Sequence, residues 1–104
     1  MSRNLYTENE IILCTYLALY DTNAFSETEI HNKFNRPKSS IKMKIQNIAA
    51  MLDEEEIKRD SRIKGLSGVT TGEKGRRTNW NWIEKIIHLS KDELLSKCEA
   101  ILNV

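Results

Sequence analysis

Three stretches of Ser/Thr-x-x-Glu form read as capping boxes in this chain of 104 residues: Thr7-Glu8-Asn9-Glu10, Ser26-Glu27-Thr28-Glu29 and Ser90-Lys91-Asp92-Glu93. In such a box the hydroxyl accepts from the N3 backbone N–H, and the glutamate reaches back to the cap N–H. Each box therefore predicts a helix start. The first helix runs to about Tyr20. Ile11, Ile12, Leu13, Cys14, Tyr16, Leu17 and Leu19 make it apolar around much of its girth, as in a central buried helix. Asp21-Thr22-Asn23 supplies turn residues at its end. The second helix is short, ending near Phe34, with Phe25 placed to staple onto Ile30. The third box opens a last helix carrying Leu94, Leu95, Cys98, Ile101 and Leu102. That stripe either closes the core or forms a dimer seam. Because it reaches the end of the chain, residues 1–104 read as one domain, the N-terminal module of a longer protein. A further helix, capped by Thr78 or Asn79, holds Trp80, Ile83, Ile86 and Ile87, with Trp82 nearby. Both tryptophans read as core in preference to base-stacking platforms.

Between the second and fourth helices lies Arg36-Pro37-Lys38-Ser39-Ser40-Ile41-Lys42-Met43-Lys44-Ile45-Gln46-Asn47-Ile48, continuing to Leu52. Ile41, Ile45, Ile48, Ala49 and Leu52 form one buried stripe at helical spacing. Ser39, Lys42, Met43, Gln46 and Asn47 fall on the opposite face. Lysine, glutamine, asparagine and serine can donate to phosphates and hydrogen-bond base edges. No carboxylate interrupts Lys33 to Leu52. A short helix, the turn Asn35-Arg36-Pro37 and a basic amphipathic helix outline a helix-turn-helix. The acidic run Asp53-Glu54-Glu55-Glu56 is unfavourable at a helix C-terminus, so Asp53 is an alternative cap for a new turn.

The formal net charge of +1 conceals an asymmetry. Lys33 to Arg77 holds 12 Lys/Arg against 6 Asp/Glu, a balance of +6; the rest holds 4 against 9, a balance of −5. A basic middle within a near-neutral chain suggests a focused anionic partner. Ile57 to Asn79 carries all four glycines, with Lys58, Arg59, Arg62, Lys64, Lys74, Arg76 and Arg77. It reads as an irregular basic loop in preference to a β-wing, whose strands would be Val69-Thr70-Thr71 and Arg76-Arg77-Thr78. Either form can touch phosphate. Its glycine spacing does not match a phosphate-binding loop.

Other classes find little support. No apolar run approaches the roughly 20 residues of a membrane span, and the N-terminus lacks a signal-peptide core. A cytoplasmic protein with no membrane partner is the expectation, with Cys14 and Cys98 as buried free thiols. His31 reads as a surface or packing residue. There is no Ser/His/Asp order, Cys-x-x-Cys or metal-ligand spacing, so no enzyme activity, catalytic residue, cofactor, metal or small-molecule substrate is expected.

Several pieces then fall into a familiar order: Tyr6-Thr7-Glu8-Asn9-Glu10-Ile11-Ile12-Leu13 with a tyrosine-rich helix, Arg36-Pro37-Lys38-Ser39-Ser40-Ile41, Lys44-Ile45-Gln46-Asn47-Ile48, Gly65-Leu66-Ser67-Gly68 and Trp82. Together they resemble the N-terminal DNA-binding module of HNH-type endonucleases of phages and bacteria and of related mobile-element proteins. The likeness covers about Leu5 to Ile87, with the proline earlier than in the family pattern. It implies a helical module that targets an attached activity in a bacterial host cell. The nuclease itself is missing, since His31 and His88 lie far apart without the metal-binding frame of an HNH centre.

The expected fold is mainly α: a compact bundle of about five helices containing a helix-turn-helix, with a basic loop or small β-wing between the third and fourth. The expected function is sequence-specific binding of double-stranded DNA, directing an attached replication-initiation or nuclease activity to its site. Lys42, Met43, Gln46 and Asn47 would face the major groove. Ser39, Ser40 and the helix N-terminus would hold a backbone phosphate, and Arg36, Lys38, Lys44, Lys74, Arg76 and Arg77 would supply further phosphate contacts. The alternative is a small protein-binding inhibitor or adaptor of a defence or replication protein. A homodimer through the last helix is compatible with either.

Overall fold

A computed structural model describes residues 6–22, 24–59, 62–63 and 79–103. Among these the chain forms five helices: α1 (Glu8–Tyr20), α2 (Glu27–Phe34), α3 (Lys38–Glu54), α4 (Trp80–Ile86) and α5 (Lys91–Leu102). No strand occurs among the described residues.

α1 is the hub. Every residue from Glu10 to Leu19 is buried, and α1 packs against each of the other four helices, most extensively α3. Its buried Thr15 is satisfied locally, Oγ1 donating to the Ile11 carbonyl at 2.7 Å. Aromatic packing closes its C-terminal end, where the Tyr16 ring meets Tyr20 at 5.1 Å and stacks on Phe25 at 5.4 Å between centroids. Phe25 and Ile30, the expected staple pair, are both in this core. Cys14 and Cys98 are buried free thiols, and burial pushes both up to about 12.

All three boxes close as capping boxes. α4 starts differently. Asn79 occupies the cap position in the left-handed region, at φ 67°, and makes no side-chain cap bond. Its carbonyl accepts from the N–H groups of Trp82 and Ile83 instead. Trp80 and Trp82 are half-buried against the core. In α5, Leu94 and Cys98 are buried, while Leu95, Ile101 and Leu102 are partly so. The stripe thus helps close the core.

α3 buries the five expected apolar residues and Met51 as well. It continues through Asp53, so Asp53 caps no new turn. A bidentate bond from Arg59 to Asp53, at 2.9 Å for both contacts, neutralises the first carboxylate of the acidic run. The helix stops in a Schellman arrangement: Ile57 N–H bonds the Leu52 carbonyl at 2.9 Å and Glu56 N–H bonds that of Asp53 at 3.0 Å. Glu56 therefore takes a left-handed conformation, φ 58°, which disfavours any residue with a Cβ. The two strands of the expected wing, and Lys64, lie outside the described residues.

Glu56→Gly is expected to stabilise the protein by about 0.5–1 kcal/mol. Relief of Cβ strain and of a carboxylate at the helix C-terminus outweighs the added entropy of the unfolded chain. Glycine at Glu54, inside the helix, should cost about 1 kcal/mol. Urea unfolding midpoints at unchanged slope test both.

Candidate nucleic-acid interface

The three residues Asn35–Pro37 separate α2 from α3, and each end of this turn is held. Asn35 adopts the left-handed conformation, φ 55°, with its N–H on the His31 carbonyl at 2.8 Å. His31 Nδ1 lies 2.8 Å from the Arg36 carbonyl; a carbonyl only accepts, so this nitrogen carries the proton. His31 thus acts as a local cap. Pro37 then fixes the entry to α3 without a side-chain cap bond.

The Arg36 side chain turns inward. Its Nε donates to Glu10 Oε2 at 2.7 Å and its Nη2 to Glu10 Oε1 at 3.0 Å. The same Oε1 accepts the Thr7 N–H at 2.8 Å. Glu10 is 2% exposed and Arg36 12%, so this pair is largely shielded from water. Burial alone would push the Glu10 carboxyl up. The Arg36 bond and the Thr7 N–H outweigh it and hold the carboxyl below its usual range. The guanidinium also lies over the Tyr6 ring, 3.9 Å from its centroid, a cation–π contact. Tyr6 Oη in turn shares a 3.0 Å hydrogen bond with Ser40 Oγ. Lys44 Nζ sits 5.5 Å from the same ring, half-buried, and burial lowers its pKa.

Arg36, Ser40 and Lys44, all expected to meet phosphate, therefore line the side of α3 that faces Tyr6. The physical reason is helical geometry. Ser40 and Lys44 are one turn apart, on the flank nearest the N-terminus of α1, where a buried carboxylate and an aromatic ring await cationic and hydroxyl partners. The Glu10–Arg36 pairing was invisible to sequence inspection, which assigned Glu10 wholly to its cap. An arginine in the turn and a glutamate on an otherwise apolar helix were the only signals.

The other expected residues remain on the outer face. Lys38, Ser39, Lys42 and Met43 are exposed, and Gln46 and Asn47 are partly exposed. At 100° per residue, Ser39, Met43, Gln46 and Asn47 cluster about the centre of that face. Lys42 forms its edge on the side away from Lys44, and Lys38, about 40° further round, is exposed as the first residue of the helix. Lys42, Ile45 and Gln46 also line a cleft of about 210 Å³ with Thr22, Glu27 and Ile63. Glu27 thus places a carboxylate across the cleft from Lys42. Lys74, Arg76 and Arg77 lie outside the described residues. Among the described residues no group of three His, Cys, Asp or Glu side chains is placed to hold a metal ion, and no helix is long and apolar enough to cross a membrane.

No family model, curated protein or solved structure matches the chain. The side chains themselves must carry the functional reading.

Removing Arg36 should expose how strongly the turn depends on Glu10. Arg36→Met leaves a buried carboxylate without its cation and is expected to cost about 2–4 kcal/mol near neutral pH. Because the folded Glu10 pKa is lowered, its stabilisation is complete above the ordinary value of 4.5 and fades as pH falls through the folded value. The stability gap between the two proteins should therefore narrow as pH falls from neutral through 4.5 to the folded value. A gap of constant size in urea titrations across that range would contradict the pairing.

Proposed function

We propose that this chain binds double-stranded DNA sequence-specifically, with α2, the turn and α3 acting as a helix-turn-helix and the first three turns of α3 entering the major groove. The observation that carries this reading is the outer face of α3: hydroxyl and amide side chains at its centre, lysines at its edge, and no carboxylate before Asp53. The lysines suit phosphates, whereas Gln46 and Asn47 can make paired bonds to adenine. Among the described residues, no hydrogen bond or ion pair engages Ser39, Lys42, Gln46 or Asn47. With respect to the described residues, these side chains can therefore meet a ligand without breaking a hydrogen bond or ion pair.

Polarity supports the same orientation. The N-terminal end of α3 carries positive partial charge and exposed N–H groups, both favourable toward phosphate. Its far end carries Glu54, Glu55 and Glu56, all exposed, and is best kept out of the groove. Arg36 and Lys44 drop out as primary phosphate ligands in this arrangement, because each is engaged against α1 or Tyr6. Lys74, Arg76 and Arg77 retain the role suggested by charge alone. The resemblance to the targeting modules of HNH-type endonucleases and other mobile-element proteins adds the larger proposal: the domain brings an attached replication-initiation or nuclease activity to its site.

Binding to a random-core duplex pool is the direct test. Affinity should fall steeply as salt rises. Lys38→Ala should weaken all duplexes alike and flatten the log–log salt slope by about 0.9. Gln46→Ala or Asn47→Ala should relax choice at one base pair by about 1–3 kcal/mol. Absence of duplex binding, with co-purification of a protein, would overturn the proposal in favour of an adaptor.

A further inference from the structure

Met43 is the one exposed large hydrophobic residue among the described residues, at 60% exposure. Its setting is specific. The residues three and four positions away on the same helix are Ser39, Ser40, Gln46 and Asn47, its surface neighbours. Lys42 and Lys44 flank it in sequence and project about 100° to either side. The nearest carboxylate along α3 is Asp53, roughly 15 Å further along the axis at 1.5 Å per residue. Met43 is thus an exposed apolar tip in the middle of a polar face to which α3 itself contributes no carboxylate.

A thioether offers a phosphate nothing, so Met43 adds no general attraction to a polyanion. Its favourable contact is with another apolar group removed from water. In unmodified DNA the major groove offers one such group on the bases, the C5-methyl of thymine. Methionine is long and unbranched, able to adapt its tip to a methyl whose position shifts with local groove shape. Gln46 and Asn47, one turn further on, are suited to the N6 and N7 edge of adenine. Both kinds of contact select A·T pairs.

We infer that Met43 is a specificity-determining residue that packs on a thymine C5-methyl, so that the preferred site holds a thymine beside an adenine contacted by Gln46 or Asn47. The inference rests on the reading of α3 as the DNA-contacting helix, and the experiment separates the two. Duplexes are first enriched from a random pool by the wild-type protein. Each thymine of the enriched site is then replaced in turn by deoxyuridine, which deletes only the methyl. At one position the wild-type protein should lose about fourfold in affinity, the equivalent of one buried methyl. Met43→Ala, which removes the group that packs on the methyl and leaves the core untouched because Met43 is exposed, should bind both duplexes equally. An enriched site at which deoxyuridine is neutral everywhere, or weakens both proteins alike, overturns the role of Met43. Failure of any duplex to enrich overturns the DNA-binding reading itself.

Discussion

The bond between Glu10 and Arg36 joins two parts of the chain that local structure would leave independent. Glu10 closes the capping box of α1 and, through the same carboxylate, holds the guanidinium of the turn before α3. The start of the central helix and the entry to the amphipathic helix are thereby fixed at one point. A buried ion pair of this kind contributes little net stability relative to an apolar pair, yet losing one partner is costly. Its value here is geometric. Two bonds from a planar guanidinium define both a distance and an angle, and the Tyr6 ring packs against that guanidinium.

Once this point is fixed, the two flanks of α3 diverge in chemistry. On the flank toward Tyr6, Ser40 and Lys44 complete a partly desolvated cluster, and burial makes the Lys44 ammonium less favourable than in water. On the outer face the lysines stay solvated, and the central positions carry no charge. A single helix thus has an apolar side against α1, a structural polar flank and a free polar face. Turning α3 by one residue about its axis would place Ser39 and Met43, or Ile41 and Ile45, where Ser40 and Lys44 now sit. The cluster at Tyr6 therefore acts as a register pin for the face presented to solvent.

What the sequence made legible is what short-range chemistry determines. Three helix starts followed from hydroxyl–glutamate boxes, whose bonds span three residues. The buried stripe of α3 followed from helical spacing, and so did the outward position of Ser39, Lys42, Met43, Gln46 and Asn47. The inward turn of Arg36 depends on a partner 26 residues away, which no local pattern encodes. Ser40 turns toward Tyr6 across 34 residues for the same reason. Residue type left Thr78 and Asn79 both open as the cap of α4; Asn79 takes the position, and its left-handed backbone makes the start of the helix depend on carbonyl acceptance alone. Asp53 was ambiguous because an acidic run disfavours a helix end; Arg59 resolves the conflict through a contact six residues on.

In the proposed binding mode this separation of flanks also separates affinity from choice. Lysines at the edge of the outer face supply attraction that is blind to sequence and sensitive to salt. The centre supplies amides and one thioether, groups that gain little from a polyanion in general and much from a particular base edge. Had Arg36 and Lys44 faced outward as well, the added charge would have strengthened binding to every duplex equally and reduced the relative weight of the central contacts. Holding those two cations against Glu10 and Tyr6 keeps the centre of the face decisive. The ion pair that orders the fold is, on this view, also what limits its indiscriminate attraction to DNA.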